Sequence, residues 1–100
     1  MRREDHPCQS PHAAWREVDE VVVIISPVDS VLHELNSTAS FIWKHATGRY
    51  AIEEIARLLA TEYDVDPDTA LTDVEELTTH LEQKNLLLPS PPTPKEESGG

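Results

Sequence analysis

The sequence predicts an α+β domain in which three short antiparallel strands are followed by three helices. Two observations carry this expectation. Apolar residues up to Leu35 come in short β-branched runs, and after Asn36 they recur at helical spacing. A third observation sets the limits of the domain: Pro and Gly gather at both ends, with Pro7, Pro11, Pro89, Pro91, Pro92, Pro94, Gly99 and Gly100 among few apolar groups. Segments of that composition cannot offset their ordering entropy by burial, so residues 1–12 and 89–100 are expected to be disordered around a single domain at 13–88.

The strands follow from the runs around Val18, Val21-Val22-Val23-Ile24-Ile25 and Val31-Leu32, broken by Asp19-Glu20 and by Ser26-Pro27-Val28-Asp29-Ser30. Expected spans are 13–18, 21–26 and 31–35. The middle strand is apolar on both faces and should be central and covered. In the third, Val31, His33 and Leu35 share one face and Leu32 and Glu34 the other.

Each helix carries its own start signal. Asn36 or Ser37 can cap a first helix with the stripe Ala39, Ile42, Trp43 and Ala46, which Gly48 can end in a left-handed conformation. A second helix near 51–62 carries Ile52, Ile55, Ala56, Leu59 and Tyr63, with Glu53 and Glu54 in its first turn where they favour the dipole. Asp66 as N-cap and Pro67 in the first turn start a third, striped by Ala70, Val74, Leu77 and Leu81. Three strands followed by three helices give a winged-helix-like arrangement.

Charge and composition exclude several function classes. The net charge is −11, and residues 13–89 hold 5 Lys/Arg against 15 Asp/Glu, a field that repels phosphate backbones and anionic membranes. Helical positions that would face DNA carry only Arg57 and Lys84, so nucleic-acid binding through the winged-helix shape is the weakest reading. No stretch is long and apolar enough for a membrane span, no apolar run follows Arg2-Arg3 as in a signal peptide, and Cys8 has no intrachain partner. A soluble cytoplasmic protein is expected. With three glycines, two of them terminal, there is no phosphate loop; His6, His12, His33, His45 and His80 stand too far apart for a ligand set. No cofactor, metal or catalytic group is expected.

Several blocks nevertheless fall in a telling order: Leu35-Asn36-Ser37-Thr38-Ala39-Ser40-Phe41-Ile42-Trp43, Gly48, Ile52-Glu53-Glu54-Ile55, Asp73-Val74-Glu75-Glu76-Leu77 and Asn85-Leu86-Leu87-Leu88. Over about residues 18–88 this resembles the PqqD family, the peptide-binding domains also called RiPP recognition elements. The resemblance implies a non-enzymatic peptide chaperone that takes the leader of a ribosomally made precursor as an added β-strand. It would then present that leader to a maturation enzyme of the radical S-adenosylmethionine class. It leaves the pathway open between pyrroloquinoline quinone synthesis and another peptide modification. By the same resemblance, the groove runs between the third strand (Val31, Leu32, His33, Glu34, Leu35) and the third helix.

On that helix one flank offers Leu71, Thr78 and Asn85, and the other Asp73, His80 and Lys84, beside Val74, Leu77 and Leu81. If the second flank faces the peptide, Asp73 and Glu76 favour a leader carrying Lys or Arg. The exposed edge strand could also pair two copies, so monomer and edge-strand homodimer both remain open. A rival resemblance comes from Asp29-Ser30-Val31-Leu32-His33-Glu34-Leu35, which is similar to the acyl carrier site where phosphopantetheine is attached, here on Ser30. Such carriers have a helix upstream of that serine, where this chain has a β-branched run and Pro27.

Overall fold

Val18 and Val21 pair across a two-residue turn in which Asp19 and Glu20 both have positive φ (52° and 69°), the turn geometry that matches the twist of an antiparallel hairpin. The computed structural model describes residues 1–27 and 29–90. Val28, in the expected second turn, and residues 91–100, in the expected tail, lie outside them.

The hairpin joins β2 (Ala14–Val18) to β3 (Val21–Ile25), and β4 (Leu32–Glu34) pairs with the other side of β3, giving the order β2-β3-β4. Then come α1 (Ser37–His45), α2 (Ile52–Tyr63) and α3 (Pro67–Gln83). The expected α+β order of strands and helices is therefore present. Two further strands were not expected: β1 (His6–Gln9) and β5 (Leu87–Ser90) pair antiparallel as a second small sheet.

That second sheet corrects the expectation of disorder for residues 1–12 and for Pro89 and Ser90. The amino-terminal segment is ordered chiefly by backbone bonds, with Met1 packed against the core and Pro7 buried. Gln9 N–H donates to Ala46 O (2.9 Å) and Gln9 Nε2 to Trp43 O (2.8 Å) at the end of α1, while Asp5 O and Arg3 O accept from Ile52 and Glu53 at the start of α2. Helix ends leave such groups without intrahelical partners, and this arm supplies them.

The caps otherwise follow the sequence. Asn36 Oδ1 accepts from Ala39 N–H (2.8 Å). Asp66 Oδ2 accepts from Asp68 and Thr69 N–H, with Pro67 in the first turn. Gly48 is a correction: α1 is already closed by the Ala46 N–H to Trp43 O bond. Gly48, at φ +85°, instead donates to Pro7 O, and a Cβ there would meet Cys8 Sγ at 3.6 Å.

Core residues form two clusters. Val22, Ile24, Leu35, Trp43, Ala46, Leu81, Leu86 and Leu87 join the sheet to α1 and α3, while Ile42, Ile52, Ile55, Ala56, Leu59, Ala70 and Val74 join the helices. Met1 and Leu77 pack against both. Only one face of β3 is buried. Val22 and Ile24 are fully enclosed, whereas Ile25 is 46% exposed, because the three helices lie on one side of this small sheet. The expectation of a strand covered on both faces is corrected accordingly. No described helix is long and apolar enough to cross a membrane.

Where β4 turns into α1, Ser40 joins helix to sheet. Its buried Oγ accepts from Val22 N–H (2.8 Å) and donates to Leu35 O (3.1 Å), spanning the place where the next β3–β4 rung would form. Ser40→Ala orphans a buried amide and should cost about 1–3 kcal/mol in urea unfolding. Relieving the non-glycine left-handed residue with Glu20→Gly should instead stabilise by about 1 kcal/mol in the same assay.

Candidate functional site

Strand β4 is an edge, and its position is set by the turn before it. Asp29 Oδ1 accepts from Val31 N–H (3.1 Å), and Ser30 takes a left-handed φ of 60° while donating its amide to Ser26 O. The Val31 amide, helped by the Ser26 side chain, holds the Asp29 carboxyl below its ordinary range. Ser30, the residue of the carrier-like reading, thus lies in a turn between strands and has no helix before it among the described residues.

Ser26 N–H donates to Val31 O (2.9 Å) and Leu35 N–H to Val22 O (2.8 Å). In an antiparallel pair alternate residues bond to the neighbour, so Val31, His33 and Leu35 direct their backbone groups to β3. The amides and carbonyls of Leu32 and Glu34 consequently point away from the sheet. Their side chains lie on the outer face, where Leu32 is 61% exposed.

On the inner side, His33 stands edge-on to His80 of α3, with centroids 6.4 Å apart and rings 74° to each other. His33 Nε2 is sealed from solvent and has no hydrogen-bond partner among the described residues. From this histidine pair a depression of about 370 Å³ runs to the start of α1, lined by Asn36, Thr38, Ala39, Ile42, Asp73, Glu76, Leu77 and His80. The α3 members fall at i, i+3, i+4 and i+7, one face of the helix.

The expected site residues divide. Asp73, Leu77 and His80 line the groove, whereas Leu32, His33 and Glu34 form β4, which meets it through the contact of His33 with His80. Val31 precedes β4 and is exposed; Leu35 is buried below it. Val74, Thr78 and Leu81 are corrections, since all three are fully buried, Thr78 with its hydroxyl donated to Val74 O. Leu71 is a correction too, because it packs with the α2 cluster, beside Glu53, Ala56 and Arg57. A stripe wide enough to meet both α2 and the sheet consumes these positions. Sequence reasoning missed Asn36, Ala39 and Ile42, which it assigned to cap and core, and gave Thr38 no role of its own; the small side chain of Ala39 is the signal for a hollow there.

Comparison with known proteins gives this arrangement a context. Residues 21–87 match the family described as Coenzyme PQQ synthesis protein D (PqqD). The chain belongs to the PqqD family. A PqqA binding protein of Xanthomonas campestris pv. campestris (strain B100) is 43% identical over 65 residues, which are 65% of this chain and 68% of that protein. TbiB1, solved in complex with the TbiA(beta) leader peptide, is similar at a TM-score of 0.73 and 26% identity, covering 80% of this chain and 93% of its own. The PqqD part of Methylobacterium extorquens PqqCD, a stand-alone RiPP recognition element, gives 0.64 and 26%, covering 82% and 87%. The family match thus runs from β3 to the first residue of β5 and takes in α1 and α3, the two helices that line the groove.

Asp29 offers a check on how the edge strand is held. A lowered folded-state value means that the turn's contribution is present above the unfolded value and lost as pH falls through the folded one. In an NMR acid titration the Asp29 carboxyl should therefore have a midpoint below the ordinary Asp value, with the Val31 amide shift following it.

Proposed function

We propose that this protein is a non-catalytic peptide chaperone. It holds the leader of a ribosomally synthesised precursor and presents it to a modifying enzyme. The observation that carries this reading is the outward-facing backbone of Leu32 and Glu34 on an edge strand whose His33 meets His80, which lines the groove with Asp73 and Leu77. An extended peptide joining that edge gains main-chain hydrogen bonds that tolerate many sequences, and its alternate side chains enter the groove, where selection occurs. Relatives that bind PqqA or a leader peptide support the same reading. A radical S-adenosylmethionine enzyme in a reducing cytoplasm fits as the recipient, and the free Cys8 is compatible with such a compartment.

The edge geometry selects the test. His33 directs its amide into β3, so proline there would break the protein's own sheet; Leu32→Pro removes an outward amide instead. Titrating labelled protein with the precursor peptide encoded beside its gene should shift the amides of Leu32–Glu34 and of α3 from Asp73 to His80. Leu32→Pro should weaken binding about tenfold or more while the other amides keep their positions. An unperturbed β4 at saturating peptide would remove the basis for this function.

A further inference from the structure

We propose that the groove selects one long basic side chain, Lys or Arg, from the incoming strand. The proposal rests on the leader-binding reading and adds the chemistry of the residue that is read. Its starting point is a contrast among the carboxylates of α3. Glu75 is taken by Arg3 (2.9 Å) and Glu82 by the Met1 amine (3.4 Å), both on the side of the helix where the amino-terminal arm passes. Asp73 and Glu76, on the groove side, are exposed and have no ion-pair or hydrogen-bond partner among the described residues. The arm neutralises one flank of α3 and leaves the other negative.

Below those carboxylates the floor is apolar, made by Ala39, Ile42 and Leu77. An apolar floor with an anionic rim is complementary to a side chain that is aliphatic along its stem and cationic at its tip. Aspartate or glutamate would be repelled there. A short apolar residue would cover the floor and leave both carboxylates to water.

The register follows from the histidine pair. His33 lies beside His80, which lines the groove together with Asn36, Asp73 and Glu76. An antiparallel added strand presents inward-facing residues opposite Leu35 and opposite His33. The first is the basic one, and the second, two positions toward the peptide's carboxyl end, meets the His33–His80 pair.

The test begins with random 12-residue peptides displayed and selected on the full-length chain, with selected binders mapped by amide shifts. Binders that shift Leu32–Glu34 should share a Lys or Arg at one position, and replacing it by Glu should weaken binding about tenfold in fluorescence anisotropy. Asp73→Asn with Glu76→Gln should erase that difference. A control pair of equal charge change on α2, Glu53→Gln with Glu62→Gln, separates the groove from the general attraction of an acidic protein. Binders at β4 without a basic preference, or an equal loss from the control pair, would overturn the proposal and leave the leader-binding reading intact. If no selected peptide shifts β4, both are overturned.

Discussion

Helix α1 can lie on the sheet only if the strand that leads into it leaves the sheet without stranding polar groups, and the Ser40 hydroxyl meets that condition. It stands between Val22 N–H and Leu35 O, continuing the β3–β4 ladder for one rung through a side chain. The chain can then turn from strand to helix within two residues. Trp43, one helical turn from Ser40 and fully buried, fills the space this creates and meets the edge-on ring of Trp15 at 6.0 Å. The height of α1 above the sheet sets the depth of the groove, because Thr38, Ala39 and Ile42 belong to the same helix.

The amino-terminal arm fixes the helices in a different way. Its carbonyls and the Gln9 side chain satisfy the end of α1 and the start of α2, and its strand pairs with the segment that follows α3. Asn85, at φ +61°, ends α3 and lets Leu86 N–H reach back to Leu81 O, turning the chain into β5. A few residues with little apolar content thereby connect elements from every part of the helical half. Arg3 and the Met1 amine also make the electrostatic difference between the two flanks of α3.

Much of this was legible in the sequence because burial writes a periodic signal. The stripes of α2 and α3, the caps at Asn36 and Asp66 and the β-branched run of β3 all read directly. Strands β1 and β5 did not, since His6-Pro7-Cys8-Gln9 carries no alternation and its order comes from backbone partners far away in the chain. For the groove, the α3 flank containing Asp73 and His80 was recognisable as polar positions beside the core stripe. Val74, Thr78 and Leu81 were misjudged because a helix packed on two sides buries a wider arc than its most apolar positions suggest. Ala39 looked like core because periodicity reports direction, whereas a hollow is a matter of volume.

The outer face of the sheet carries Ala14, Ile25 and Leu32 in one cross-strand row and Arg16, Val23 and Glu34 in the next, with no helix above them among the described residues. Any strand added at β4 would lengthen both rows by one residue. Odd and even positions of such a guest are then separated: one set is enclosed against α3, and the other is displayed on a surface open to further contacts. A sequence held in this way carries two messages in alternating letters, and each can change without rewriting the other.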